Sequence, residues 1–183
     1  MKRVVVLLLV MMLVGFGVGC TDQTAQTALA EMKAQAALEA QNIEVIKRLF
    51  AELDKGNVGA YQKYYAPNAK YFFPSNSPTP MSRDDEAAMS KMMMAAFPDL
   101  TYQVTDIFAV RDRVVATFVG RGTHKAELEG IPATGNTIGF GSISIFRLRN
   151  GLVVEEMQEG DMVGLYQQLG MELRPRAPTK SAK

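Results

Sequence analysis

The apolar positions of this chain change period part-way along it. Ile43, Ile46, Phe50 and Leu53 recur at three- and four-residue steps and Gly56 follows, which predicts an amphipathic helix that stops at the glycine. Val58 to Tyr65 carries a second, shorter helical pattern that ends near Pro67. Ala69 to Phe73 reads as a strand, and Pro74 to Pro80 is rich in breakers. Ser82 followed three residues later by Asp85 has the spacing of a capping box, and Asp84, Asp85 and Glu86 suit the positive end of a helix dipole. The helix so started runs to about Phe97, where Pro98 stops it. From Leu100 onward β-branched and aromatic runs take over. Leu100 to Val110 and Arg113 to Arg121 flank Arg111-Asp112, and Phe140 to Arg149 and Leu152 to Gln158 flank Asn150-Gly151, a strong two-residue hairpin signal. A two-residue loop there sets Ser144 opposite Met157 and Ile145 opposite Glu156. A short last helix, Met162 to Leu169, follows Asp161. Helices first and a meander of strands later make an α+β arrangement.

The first twenty residues follow a different logic. Lys2 and Arg3 precede an unbroken apolar run from Val4 to Val14 and then Gly15-Phe16-Gly17-Val18-Gly19-Cys20, the layout of an export signal. The uncharged stretch from Val4 to Gly19 is 16 residues long, short of the ~20 that cross a hydrocarbon core. Val18-Gly19-Cys20 resembles the end of a bacterial lipobox, in which the cysteine is lipidated and becomes the first mature residue. Gly17 departs from that pattern, which usually has a larger apolar residue there. The alternative is ordinary signal cleavage with Cys20 incidental. The expected organisation is a lipoprotein signal over 1–19, a tether over 20–41 rich in Ala, Gln and Thr, one domain over 42–172, and a disordered basic tail over 173–183. The protein is accordingly expected in the bacterial cell envelope, held to a membrane through Cys20.

Composition narrows the chemistry. Lys and Arg total 20 against 19 Asp and Glu, and removal of Lys2 and Arg3 with a signal leaves 18 basic residues, so the chain lacks the basic footprint of a nucleic-acid partner. One cysteine and one histidine, His124, exclude zinc sites built from Cys and His, internal disulfides and any Cys-His pair except Cys20 with His124. Gly139-Phe140-Gly141 lacks the third glycine of a dinucleotide loop and enters a strand, and neither a phosphate-binding Gly-Lys-Ser/Thr loop nor a Gly-x-Ser-x-Gly elbow is present. Neither cofactor nor metal is therefore expected. The cluster Met89, Met92, Met93 and Met94 could hold Cu(I) by its thioethers, but its helical spacing is that of a packed face or pocket wall.

Several ordered segments carry a family resemblance. Phe97-Pro98-Asp99-Leu100, the run from Gly122 to Gly135, Ser142 to Arg147, Glu155-Glu156, Asp161 and Gln167-Gln168-Leu169-Gly170 together resemble the SnoaL-like polyketide cyclases. The resemblance extends more weakly back to Asn42. It implies a nuclear transport factor 2-like cone, a curved and mostly antiparallel sheet wrapped around N-terminal helices, with an apolar pocket. It also implies a cofactor-independent aldol-type cyclization of a hydrophobic carbonyl or ester compound, with Asp161 matching the pocket acid/base of characterised members, and a homodimer through the open sheet face.

Asp161 and His124 are the catalytic candidates, and each has a second reading. Asp161 stands where a helix N-cap is favoured, and His124 would serve equally as a hydrogen-bonded core or rim histidine. Arg147 and Glu156, diagonal neighbours in the expected register, read as a cross-strand ion pair. Phe73, Met93, Phe97, Phe146 and Met157 are the expected pocket residues. Met157 stands where relatives commonly have Trp, and Phe73 where many have His. Ala126 replaces the usual Gly and Ala133 the usual Pro. These departures leave a more apolar cavity and keep a non-catalytic binding protein for a small hydrophobic ligand as the alternative function.

Overall fold

A computed structural model describes residues 18–172 and 174, with side chains from residue 23 onward. Residues 1–17 of the expected signal over 1–19, the side chain of Cys20 and, from the expected tail, residues 173 and 175–183 lie outside the described residues. Helix α1 runs unbroken over Val18–Leu53, so the stretch composed like a tether is helical. Ala, Gln, Glu, Lys, Leu and Met dominate it, all good helix formers, and after Gly19 neither Gly nor Pro occurs before Gly56. Gly56 ends it at φ +73°, with its N–H donating to the Leu53 carbonyl at 2.8 Å. The domain's grip on α1 starts at Glu39, whose carboxylate accepts the Arg111 N–H at 2.7 Å in the β3–β4 turn described below.

Short α2 (Ala60–Tyr64) leads directly into β1 (Tyr65–Phe72), then β2 (Met81–Ser82) and α3 (Arg83–Ala96). The expected capping box is present: Ser82 Oγ accepts from the Asp85 N–H and the Asp85 carboxylate accepts from the Ser82 N–H. Four long strands follow, β3 (Thr101–Val110), β4 (Arg113–Thr123), β5 (Thr137–Arg149) and β6 (Leu152–Gly160), and then α4 (Met162–Gln168). The sheet order is β2-β1-β6-β5-β4-β3. All neighbours are antiparallel except β1 with β6, so the sheet is mixed. The curved sheet packs around α1, α2 and α3 in the nuclear transport factor 2-like cone.

The inner face of the sheet and α1 enclose one core built on Ile46, Leu49, Phe50, Val114, Phe146 and Val153. A second cluster, including Phe97, Leu128, Ile138, Phe140 and Leu165, closes the other side. The register of the last hairpin differs from the expected one. Asn150 and Gly151 take the predicted positive φ values of 53° and 75°, and Leu148 still faces Val153. A bulge between Arg147 and Leu148 then shifts the pairing, so Arg147 faces Glu155, Phe146 faces Glu156 and Ile145 faces Met157. One inserted residue reverses which side chains point inward. Glu156 enters the core face, while Met157 joins Phe108, Val115 and Ile145 in an apolar row across the outer face.

Candidate functional site

A cavity of about 360 Å³ opens between α1, α3, α4 and the inner face of the sheet. Its wall combines Met81, Met89, Met92, Met93 and Met162 with aromatic rings, including Phe73, Phe140 and Phe146. The methionine face of α3 therefore forms cavity wall at three of its four members, and Met94 packs against both core clusters. Three carboxyl groups, Glu86, Glu129 and Glu156, also border the cavity. Among the described residues, no Lys, Arg or His does.

Glu86 and Glu156 meet at the inner end. Glu86 comes from the buried stripe of α3 and Glu156 from the inward side of β6, and their residues are 4% and 3% exposed. The Tyr65 hydroxyl, at the start of β1, donates to Glu156 Oε2 at 2.5 Å and lies 3.5 Å from Glu86 Oε1. Glu86 Oε2 and the neighbouring Ser90 Oγ, both buried, have no hydrogen-bond partner among the described residues. Burial and then the charge of Glu156 push the Glu86 carboxyl well above the usual carboxylate range. Burial also raises Glu156, but the short bond from Tyr65 favours its charged form and opposes the rise. Two carboxyls in one dry site cannot both ionise cheaply, so the proton stays on Glu86 and Glu156 is the first to lose its own. Tyr61, Tyr65, Tyr71 and Tyr102 line the same cavity and are held neutral by burial, with the carboxylates adding to the effect. At the rim, the Tyr166 hydroxyl donates to the Glu129 carboxylate, which pushes the phenol up to about 12.

The expected site residues are dispersed by comparison. Phe73, Met93 and Phe146 border the cavity. Phe97 does not: it is fully buried in the second cluster, its ring tilted 35° to that of His124 with centroids 5.2 Å apart. Met157 does not either, because the bulge turns it to the outer face. His124 is 0% exposed and away from the cavity wall; its Nδ1 accepts the Thr134 N–H at 3.2 Å and so holds the ring as a loop anchor. Asp161 is exposed and outside the lining, and its Oδ1 accepts the Gly164 N–H at 2.8 Å as the N-cap of α4. The carboxylate expected in the pocket instead caps α4 and lies outside the cavity lining. The expected pair of Arg147 with Glu156 is likewise replaced by Arg147 with Glu155, at 3.1 Å on the outer face.

Sequence reasoning missed both members of the buried pair. Glu86 was readable as part of an acidic first turn, yet Glu86, Ser90, Met93 and Phe97 also recur at helical spacing on one stripe. Nothing comparable marked Glu156, whose direction depends on the bulge. Among the described residues, no group of three His, Cys, Asp or Glu side chains converges to hold a metal ion, and no helix is long and apolar enough to cross a membrane.

Comparison with known proteins agrees with this geometry. The profile of the family described as SnoaL-like polyketide cyclase matches residues 44–169. Among solved structures, AclR from Streptomyces galilaeus, a candidate hydroxylase, superposes with a TM-score of 0.67 at 24% identity, over 72% of this chain and 97% of its own. IdmH from Streptomyces antibioticus, a candidate polyketide cyclase, gives 0.63 at 29% identity, over 72% and 99%. A candidate polyketide cyclase from Acidithiobacillus ferrooxidans gives 0.63 at 28% identity, over 71% and 94%. No curated protein matches the chain significantly. With the cone, its cavity and a profile match over most of its length, the chain belongs to the SnoaL-like polyketide cyclase family.

Proposed function

We propose that this protein is a cofactor-independent acid/base enzyme acting on a hydrophobic carbonyl or ester compound in the cavity, with Glu156 as base and Glu86 as acid. The observation that carries this reading is the pair itself: two carboxyls in one apolar cavity, held by unequal hydrogen bonds. Unequal environments separate the two pKa values, which is what assigns one group to give and the other to take a proton. In the step envisaged, Glu156 takes a proton from carbon beside a substrate carbonyl, and the C–H electron pair moves onto the carbonyl oxygen. The Glu86 proton, or the Tyr65 hydroxyl, stabilises that oxygen as it becomes an enolate. In an aldol-type cyclization the enolate carbon then bonds to a second carbonyl carbon of the same molecule. The oxygen of that carbonyl takes back a proton from Glu156.

The test is exchange of α-protons of ethyl benzoylacetate in D₂O, followed by NMR. Glu156→Gln should slow enzyme-dependent exchange by about 10²-fold or more. Enzyme-dependent exchange that survives in Glu156→Gln would overturn the assignment. A binding protein without turnover is the second reading, favoured by the five methionines of the wall, since flexible thioethers adapt to varied ligand shapes. That reading requires saturable binding with no exchange above background.

Membrane attachment through Cys20 in the cell envelope belongs to the same proposal, supported by the signal-like order of residues 1–20. One acyl chain holds a protein only marginally, so two or three chains on the mature terminus are implied. Cys20→Ala should move the protein from the membrane to the soluble fraction, and an unchanged partition would refute the anchor.

A further inference from the structure

We infer that the cavity takes hydrophobic amines, with the ammonium head between Glu86 and Glu156 and the apolar body along the methionine and aromatic wall. This rests on the cavity being a ligand site, as proposed above, and is independent of turnover.

Charge balance is the first argument. The wall supplies carboxyl groups and, among the described residues, no cationic side chain. A negative charge on the buried pair therefore lacks a counter-ion from the protein. It can be removed by a second proton or offset by a cation from outside. Hydrogen bonding points the same way. Glu86 and Ser90 border the cavity and are more than nine-tenths buried, and Glu86 Oε2 and Ser90 Oγ have no hydrogen-bond partner among the described residues. An ammonium group brings three donors and no acceptor, which suits oxygens of this kind. The titratable groups facing the pair from neighbouring elements are Tyr61 of α2, Tyr65 and Tyr71 of β1 and Tyr102 of β3, with Asp54, just after α1, close to Tyr102. All of these are neutral or acidic, and the tyrosine rings add the attraction of an aromatic face for a cation. A carboxylate or phosphate ligand would meet like charge at the same place.

The inference also fixes a proton balance. When the ammonium binds, the pair gives up a proton to solvent, so amine affinity rises with pH above the ordinary carboxylate range, where a primary amine stays charged.

Three compounds of one shape, 4-phenylbutylamine, 4-phenylbutan-1-ol and 4-phenylbutanoate, separate the possibilities by isothermal titration calorimetry near neutral pH. The amine should bind about tenfold or more tighter than the alcohol, with the carboxylate weakest. Its heat should differ between Tris and phosphate buffers, as proton release requires. Glu156→Gln should bring amine and alcohol to within about threefold while leaving alcohol binding in place, whereas Glu86→Gln, which keeps the Glu156 charge, should retain a preference for the amine. Alcohol binding as tight as amine binding, or the carboxylate tightest, would overturn this inference and leave the cavity reading standing. Failure of all three compounds to bind would overturn both. Should either variant fail to fold, the buffer comparison on the unaltered protein decides alone, and tight amine binding without proton release would remove the ammonium from the carboxyl pair.

Discussion

Glu86→Gln probes the buried pair without reference to any ligand. The amide keeps the shape of the side chain and removes its titratable proton. In the folded protein, burial and Glu156 hold the Glu86 carboxyl well above its usual range, whereas in the unfolded chain it titrates near ~4.3. The folded state therefore binds the extra proton. The contribution of Glu86 to stability is full below the unfolded value and is lost progressively as pH rises toward the folded one. That loss is one proton's worth, ~1.4 kcal/mol per pH unit. Glu156 shifts in the same direction and adds up to the same slope in the unaltered protein. Glu39, Glu52, Asp85 and Asp99 have lowered pKa values, so their contributions have the opposite sign and change only below about pH 5. From pH 5 to 7 the difference between variant and unaltered protein isolates the pair, because groups away from it titrate alike in both. Across that window, the stability of Glu86→Gln relative to the unaltered protein should improve as pH rises, by at most ~2.7 kcal/mol, which for a body of this size is at most about 8 °C in Tm. Urea unfolding followed by far-UV circular dichroism at pH 5, 6 and 7 measures it. A difference between the two proteins that stays constant across the three pH values would refute the raised pKa and the division of roles built on it.

Three further substitutions test the placement of other residues. Asp161→Asn should leave the Tm and any proton-exchange activity nearly unchanged, while Asp161→Ala should cost about 1 kcal/mol by thermal unfolding, because only the cap is lost. Gly120→Ala would place a Cβ 2.3 Å from Phe140 Cζ, so the ring must swing into the cavity; a loss of about 1–3 kcal/mol and weaker ligand binding are expected. Arg147→Ala breaks the half-exposed pair with Glu155 on the outer face and should change urea-unfolding stability by under about 1 kcal/mol.

What the sequence conveyed and what it withheld divide along local and non-local lines. The stripe from Ile43 to Leu53, the Ser82 capping box and the positive-φ turn at Asn150-Gly151 are written within a few residues each, and all are present. The residue at the inner end of the cavity is not local information. Hairpin loop length alone puts Ile145 opposite Glu156, and one bulged residue moves that carboxyl from the outer face to the core while sending Met157 out. Glu86 was obscured differently, because an acidic residue in a first helical turn has an adequate local explanation and its burial depends on what β6 places against it. Asp161 shows the converse: its local role as a cap accounts for everything its carboxylate touches.

The unbroken course of α1 gives the first part of the chain a property that a coil would not have. From Val18 to Glu39, where the domain takes hold, the helix advances roughly 30 Å at 1.5 Å per residue. Because it is helical, it carries angle as well as length. Each residue turns the far end by about 100°, so whatever holds its first turn also sets which way the cavity faces. Removing one residue between Gln23 and Lys33 would shorten the rod negligibly and swing the cavity a quarter-turn or more. Removing seven would shorten it by about 10 Å and return the cavity to within about 20° of its original heading.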